Sequence, residues 1–457
     1  MFEIELGNKV SRAACNLRAV FGMRCKAATI SVMQMSRLTI GLALAGGVLS
    51  LVSSARAQNA FSPGGNDYSL TGGLPGDQTA PKVAISAAGG YAVWQDNAAD
   101  SSGLGIRATR LDANLNHTGP IFRVNSIVAG DQEKPQVAAL TNGGAVFVWQ
   151  GGQQGFQKIF ARFLPAAGTN FLSTDILVNT YTNSFQINPS VATLKDGSVI
   201  VIWSSAGQDG SLQGVFGQRL SAAGTKIGGE FQINQFALNN QRTPSVAALA
   251  GGGFVVSWVS ELQRGLSTVD IYARIFDASG TAAGNEFPVN TVTTNICANP
   301  SVAASPNGGF AIAWSQRDQA GINSSLSQLT VAPVSEPSTA SWDVFARIFK
   351  ADGTTVGLPF RLNTMVYGDQ YAPKISAFGA SYLAVWMGLG QDGSMEGIYG
   401  QFFSDAGSLA GVEFQVNTGN VSRQLNPVVC SDGMNRFLVA WSSYSTSGNS
   451  DLFAREY

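Results

Sequence analysis

Seven apolar runs along the chain each end in a tryptophan, at nearly constant spacing. Examples are "GGYAVWQ", "GSVIVIWSS" and "GGGFVVSWVS". Within each run both alternating sets of positions are apolar, so both faces of the predicted strand must be covered by other parts of the protein. The tryptophans are Trp94, Trp149, Trp203, Trp258, Trp314, Trp386 and Trp441, with spacings of 55, 54, 55, 56, 72 and 55 residues.

Two further registers repeat with the same period. Each unit opens on a proline, usually as "PxVA", and closes on an asparagine in runs such as "EFQVN". Between them lie four short β-type runs with a tight glycine-bearing turn after the first, and no run has the apolar period of a helix. The prolines are Pro81, Pro135, Pro189, Pro244, Pro300, Pro373 and Pro427, and the asparagines are Asn125, Asn179, Asn234, Asn290, Asn363 and Asn417.

Four antiparallel strands in about 55 residues, repeated in tandem, are typical of a β-propeller blade. We therefore predict an all-β fold in which residues 67–457 form a single seven-bladed propeller, with each tryptophan filling the space between neighbouring blades. The last unit stops at "DLFAREY" without a fourth strand. Tyr68 and Leu70 resemble that missing strand, so we expect the N-terminal strand to complete and close the last blade. An open solenoid is the alternative.

The N-terminal segment differs in kind from the repeats. "SRLTIGLALAGGVLSLVSSARA" has Arg37, a short apolar stretch and the small-residue pattern Ala55-Arg56-Ala57. This is typical of a cleaved secretory signal. We predict a signal peptide over 1–57 with a true start near Met33 or Met35, then a linker over 58–66. Secretion to the periplasm, cell surface or exterior follows, without a transmembrane segment in the mature chain; a retained anchor and a transit peptide are the alternatives.

The charge of the chain argues against a nucleic-acid partner, and its cysteine content argues against a disulfide. Only 12% of residues are charged, and the formal net charge is −1. Residues 58–457 hold 21 basic and 27 acidic side chains, so no basic field attracts nucleic acid. The two cysteines that remain, Cys297 and Cys430, lie too many repeats apart to bridge and are predicted to be free. We expect a monomer.

The repeat consensus "PxVAxLxxGGFxVxW…IYARxFDAxG…EFxVN" resembles a repeat of large secreted bacterial proteins that often neighbour haemolysin-type, RTX-like calcium-binding modules. The resemblance covers about residues 67–457. It implies an extracellular or surface role with no assigned activity. The glycine-rich nonapeptides of true RTX modules are absent from this sequence.

Candidate chemistry is sparse. His117 is the one histidine, which excludes a Ser-His-Asp triad and a histidine-based zinc site. Two-carboxylate glycosidase chemistry is not excluded. Recurring arginines in the third runs are predicted to pair with carboxylates or to stack on indoles. These are Arg162, Arg274, Arg347 and Arg455.

We expect no cofactor, with Ca²⁺ as the one metal that the loops could hold. Oxygen-rich loops contain the weak calcium candidates Asp96, Asp100, Asp209 and Asp392. The "GQDGS" sequence around the last two of these aspartates is also plain turn chemistry, which is the preferred interpretation.

Recognition is predicted on the face formed by the connections between second and third strands and between successive units, because these vary most. Unit five carries an insertion over 315–341 and an extra aromatic, Trp342. We take Trp342, Asp209, Asp318 and Asp392 as candidate ligand-binding residues. The expected function is a secreted binding or scaffold propeller for a glycan or a surface protein, rather than an enzyme. The alternative is a glycosidase-like propeller hydrolase using face carboxylates.

Overall fold

The computed structural model describes residues 61–166, 170–318, 341–444 and 448–457. Within these ranges all helical and strand elements are β-strands, as predicted. No helix in the described residues is long and apolar enough to cross a membrane. The predicted signal peptide, most of the predicted insertion at 315–341 and the side chain of Asp318 lie outside the described residues.

The first strand of each unit contains the proline of the repeat. These strands are β2 (Gln78–Ser86), β6 (Asp131–Ala139), β10 (Gln186–Thr193), β14 (Gln241–Ala248), β18 (Asn295–Ala304), β22 (Gln370–Phe378) and β26 (Gln424–Ser431). The second strands, which contain the repeated tryptophans, are β3 (Gly89–Asp96), β7 (Ala145–Gly152), β11 (Val199–Ala206), β15 (Phe254–Glu261), β19 (Phe310–Asp318), β23 (Ser381–Leu389) and β27 (Phe437–Tyr444).

The third and fourth strands are the outer ones of each sheet. The third strands are β4 (Gly105–Leu111), β8 (Lys158–Leu164), β12 (Gln213–Leu220), β16 (Val269–Phe276), β20 (Asp343–Phe349), β24 (Glu396–Ser404) and β28 (Ser450–Glu456). The fourth strands are β5 (His117–Arg123), β9 (Ile176–Leu177), β13 (Lys226–Gln232), β17 (Phe287–Pro288), β21 (Thr355–Arg361), β25 (Leu409–Gln415) and the N-terminal β1 (Tyr68–Ser69).

Each unit forms a four-stranded antiparallel sheet in the order first, second, third, fourth. The sheets of units four and five are joined at their edges by one parallel bridge, Val269 to Ile296. In the last sheet the outer position is taken by β1, which pairs antiparallel with β28 so that Tyr68 lies opposite Ala454. The backbone N–H of Leu70 donates to Leu452 O at 2.9 Å, which continues this pairing.

The repeated tryptophans pack between neighbouring units. All seven are buried, and each lies in a cluster that contains apolar side chains of another unit. Trp203, for example, shares a cluster with Val148 and Phe163 of unit two. Trp94 of unit one shares a cluster with Leu438 and Leu452 of unit seven. Burying an indole removes about 200 Å² from water, so each unit is stabilised mainly by its neighbour.

The repeated asparagines hold the outer strands to the following turn. In each of the six, Oδ1 accepts from a backbone N–H of the third strand at 2.7–2.8 Å. The Nδ2 group donates to the carbonyl two residues further on, as from Asn234 to Phe236 at 3.0 Å. An asparagine at this position satisfies buried groups on both sides of the turn, which explains the repeat of this residue.

The third-strand arginines link adjacent units, and apart from one pairing with a carboxylate their contacts differ from the predicted ones. Arg274 donates to Ile233 O of the preceding unit at 2.9 Å, and its guanidinium lies 5.4 Å from the ring centroid of Phe276. Arg455 makes the equivalent bond to Val416 O and stacks on Tyr457. The rings are phenyl or phenol rather than indole because the tryptophans are enclosed in the inter-unit clusters. The partners are carbonyl oxygens, with one longer ion pair between Arg162 and Asp175 at 3.7 Å.

The first strands of successive units contact one another, β2 contacts both β6 and β26, and segments of all seven first strands line one cavity. Four-stranded antiparallel sheets arranged around a shared axis in this way make the fold a β-propeller. Cys297 and Cys430 are both free thiols, as predicted.

We expect Leu70→Ala to lower the free energy of unfolding by about 2–4 kcal/mol, because it empties a buried position between β1, unit one and unit seven. Leu266→Ala is the matched control, since Leu266 is 98% exposed, and it should change stability by less than about 0.5 kcal/mol. Urea denaturation of both variants measures the difference. Equal stabilities would show that the N-terminal strand is not part of the cooperative core.

Candidate functional site

Every first strand contains a β-bulge at its proline. Proline has no N–H to give to the ladder, so the X–Pro pair bulges out and the register shifts there, as between Ile187 and Ser190. The residue before each proline has a positive φ of 51–56°. This backbone conformation is strained for residues other than glycine and asparagine. The strain is greatest at Thr243, because its side chain is branched at Cβ. The residues are Ala80, Lys134, Asn188, Thr243, Asn299, Ala372 and Asn426.

The preceding unit holds several of these bulges in place. The N–H of Asn188 donates to Oε1 of Gln150 at 2.8 Å, and the N–H of Ala372 donates to Oγ of Ser315 at 2.9 Å. Lys134 and Thr243 have equivalent bonds to Gln95 and Ser204. In all four cases the acceptor follows the repeated tryptophan directly, so the same strand end that packs the core also orients the axial backbone.

The bulges surround a cavity of about 320 Å³ on the axis of the propeller. Its lining has two tiers: the positive-φ residues before the prolines, and the residues after them. The second tier runs Lys82, Gln136, Ser190, Ser245, Ser301 and Lys374. A separate pocket at the other end of the first strands is lined mainly by apolar residues such as Leu140, Leu194 and Leu249, with Lys195 as its charged lining residue. The two ends of the axis therefore differ in chemistry.

Serine is the structural choice in the second tier. Ser190 Oγ accepts from the backbone N–H of Val246 in the next unit at 3.2 Å, and Ser245 makes the same bond to Val302. Lys82 and Lys374 replace this serine in units one and six. In both units alanine, the smallest residue found at this position, stands before the proline.

The cavity is cationic. It is lined by Lys82, Lys134 and Lys374 and, within the described residues, by no carboxylate. None of these three ammonium groups has a described acidic side chain within ion-pair distance. Burial, followed by repulsion from Lys134, lowers the pKa of Lys374 to about 8. Burial, with repulsion from Lys374 and Lys134, holds the pKa of Lys82 well below its ordinary range.

A second polar cluster lies in units six and seven. Arg423 makes two hydrogen bonds of 2.7 Å to the carboxylate of Glu396, and the phenol of Tyr371 donates to the same group at 3.3 Å. The Arg423 bonds lower the pKa of Glu396, which keeps it ionised. Burial and Glu396 raise the pKa of Tyr371 to about 12, which keeps the phenol protonated. Tyr371 directly precedes Ala372 of the cavity lining.

The residues predicted to bind a ligand are not brought together in one pocket. Trp342 is partly buried, and its backbone is tied at both ends: its N–H donates to Asp369 Oδ1 at 3.0 Å, and its carbonyl accepts from Gln370 N at 2.8 Å. Asp318 ends β19, and its side chain lies outside the described residues.

Asp209 and Asp392 cap turns, in units three and six. Oδ1 of each accepts the backbone N–H of the serine two residues later, at 3.1 Å for Asp209 and 3.0 Å for Asp392. A Cβ on Gly214 would lie 2.4 Å from Asp209 Oδ2, so the glycine makes room for this carboxylate. This arrangement agrees with the preferred turn interpretation.

Asp96 and Asp100 also have protein partners. Asp96 accepts from the Trp94 indole at 3.2 Å and lies 3.5 Å from Arg107, while Asp100 accepts from the N–H of Ser102 at 3.0 Å. In the described ranges no group of three or more acidic, histidine or cysteine side chains is placed to hold a metal. Calcium binding stays a prediction.

The axial lysines were missed by sequence reasoning, although a signal was present. The residue after the repeat proline is serine in three consecutive units and lysine in two others, "APKV" and "APKI". A lysine at a position where other units have serine breaks the repeat pattern, and such departures are where functional residues concentrate.

No protein-family model matches this chain, and no curated protein sequence matches it significantly. Solved structures do match. Polysaccharide lyase Uly1 has a TM-score of 0.50 at 10% identity, over 90% of this chain and 93% of that chain. An ulvan lyase of polysaccharide lyase family PL25 has a TM-score of 0.49 at 10% identity, over 83% and 94%. A protein of unknown function from Dyadobacter fermentans has 0.48 at 10%, over 88% and 99%.

At such identities the similarity concerns the fold. The structure that shares it at a TM-score of 0.50 is nevertheless named as a glycan-cleaving enzyme, not as a binding scaffold. The prediction of a binding or scaffold propeller is therefore corrected: this finding favours its alternative, a glycosidase-like propeller hydrolase. The repeat pattern specifies the scaffold, and a scaffold does not by itself specify whether its sites bind or cleave.

We expect Lys374→Met to raise the free energy of unfolding at pH 7 by about 1–2 kcal/mol, because a desolvated charge is removed. The pKa of about 8 lies below the ordinary 10.5, so the unfolded chain holds this proton more tightly. The penalty is full below pH 8 and fades as pH rises to about 10.5, so the variant's advantage should shrink over that window.

Urea denaturation at pH 7 and pH 10 measures both effects. Lys195→Met is the control, because Lys195 is exposed at the apolar end of the axis and its charge costs the fold little. An equal gain in both variants, or a gain that grows with pH, would contradict a desolvated Lys374.

Proposed function

We propose that this chain is a secreted β-propeller enzyme that cleaves a glycan, with its substrate bound at the axial cavity. The observation that carries the proposal is the cavity itself: about 320 Å³, polar, and lined by lysines, amides and hydroxyls from the first strands. Its volume is within the range of small-ligand sites, and rigid strands rather than loops hold its lining. The fold similarity to a polysaccharide lyase supports the choice of a glycan.

In this proposal the seven units form one closed ring of seven blades, which β1 completes. The pairing of Tyr68 with Ala454 and the cluster shared by Trp94 and Leu452 support closure. Closure bears on function because an axial cavity keeps its shape only if the blades around it cannot spread apart.

Two cleavage chemistries fit a propeller enzyme. Hydrolysis needs a pair of carboxyl groups flanking the scissile bond. The described lining of the axial cavity offers none, so such a pair would come from outside it, where Asp209 and Asp392 lie in turns and Glu396 begins β24. Elimination needs a base to remove the proton next to a sugar carboxyl group and a cation to stabilise the resulting charge.

Elimination is the second candidate, and the lysines favour it. A lysine whose pKa is about 8 is partly unprotonated near neutral pH, as a general base must be. In this scheme Lys374 takes the proton, the electron pair forms the sugar double bond, and the glycosidic oxygen leaves with a proton from solvent. Lys82 and Lys134 stabilise the carboxylate as charge develops.

The test is to incubate residues 58–457 with neutral and acidic polysaccharides and to follow two signals. New reducing ends report any cleavage, and ultraviolet absorbance of the unsaturated product reports elimination. Both signals together identify a lyase, and reducing ends alone identify a hydrolase. For elimination we expect Lys374→Met to lower the rate at least 100-fold, while Lys195→Met leaves it unchanged. No cleavage of any polymer in a broad panel would overturn the proposal.

A further inference from the structure

The three cavity lysines are concentrated on one side of the axis. Lys374 belongs to unit six, Lys82 to unit one and Lys134 to unit two, with unit seven between the first two of these. Across the axis, units three to five have Asn188, Thr243 and Asn299 before their prolines. In these units the residue after the proline is serine. One wall therefore carries positive charge, and the facing wall carries neutral hydrogen-bonding groups.

This arrangement costs folding free energy unless something else compensates the charge. Like charges near one another disfavour their charged forms, and desolvation adds to the penalty. Other units of the propeller have serine at the same position and gain an inter-unit hydrogen bond, as at Ser190 and Ser245. Lysine at Lys82 and Lys374 gives up that bond and adds repulsion. An anion bound between the ammonium groups would offset the repulsion and the desolvation cost.

The surroundings make the attraction local. Residues 58–457 carry more acidic than basic groups, so the protein as a whole does not gather polyanions. A negative group gains energy only by reaching the axis, where no described lining residue is acidic. The bulged backbone around the cavity is pinned by bonds such as Asn188 N–H to Gln150, so the site is formed before a ligand arrives.

We propose that the axial cavity is an oxyanion site in which Lys82, Lys134 and the protonated form of Lys374 clamp the carboxylate or sulfate of an acidic sugar unit. In an elimination, the unprotonated fraction of Lys374 is the base. This inference rests on the proposed function and adds the substrate class: an acidic glycan rather than a neutral one. The shared chemistry is a compact oxyanion on a sugar ring. Asn188, Thr243 and Asn299 supply hydroxyl and amide groups to the uncharged part of the ring.

The test is direct binding, measured by calorimetry and thermal shift at pH 7 and constant ionic strength. The probes are methyl glucuronide, methyl glucoside 6-sulfate and methyl glucoside, which differ in the anionic group alone. We expect both anionic probes to stabilise the protein and the neutral probe to have no effect. The stronger of the two anions identifies carboxylate or sulfate as the natural group. Equal effects of all three probes would overturn the inference.

Variants locate the site. Lys82→Met, Lys134→Met and Lys374→Met should each weaken binding of the anionic probe at least tenfold. Lys195→Met removes the same charge at the other end of the axis and should leave the affinity unchanged. Lys374→Arg keeps the charge and should retain most of the binding, which shows that loss in the methionine variant is not misfolding. Equal weakening by Lys195→Met would mean general charge attraction and would also overturn the inference.

Failure of this inference and failure of the proposed function are distinguishable. Lysine-dependent binding of the anionic probes without cleavage of any polysaccharide would support the oxyanion site and contradict the proposed enzymatic function. Cleavage of a neutral glycan at a rate unaffected by Lys82→Met would support the proposed enzymatic function and contradict the oxyanion site.

Discussion

The packing of one indole per unit against a neighbouring unit is the interaction on which the rest of the structure depends. The second strands are buried on both faces, so no sheet could shield its own apolar side chains from water. Each unit therefore depends on a neighbouring unit to bury its apolar side chains. The asparagine bonds and the arginine links add direction to this packing, because they satisfy backbone groups at the strand edges where adjacent sheets meet.

That constraint also creates the axial cavity. First strands that converge on one axis leave little space, so serine, alanine and valine predominate there, and each proline bulge turns a strained residue toward the centre. Against this background a lysine is expensive. The lowered pKa of Lys374 reflects the cost of placing an ammonium group where neither water nor a carboxylate fully compensates it. Perturbed groups of this type are typical of sites where a protein meets a ligand.

The loop aspartates hold the backbone of their own turns. Asp209 and Asp392 each accept the N–H of a serine two residues later, which is the requirement of the turn itself. Trp342 lies in a connection whose backbone is bonded to Asp369 and Gln370. Variable loops are the usual place for specificity. Within the described residues, however, the three cavity lysines, which lack a carboxylate partner, lie on the first strands.

The repeat period, the all-β class, the four strands of each unit and the burial of the tryptophans could be predicted from the sequence, because they follow from local side-chain alternation repeated seven times. The partners of Arg274 and Arg455 could not, since they are carbonyl oxygens and rings whose positions depend on the stacking of sheets. The same holds for the site. Lys82, Lys134 and Lys374 stand up to 292 positions apart in the chain. Only the convergence of first strands on one axis brings them to a common cavity, because tertiary packing, not sequence distance, decides which charges share a space.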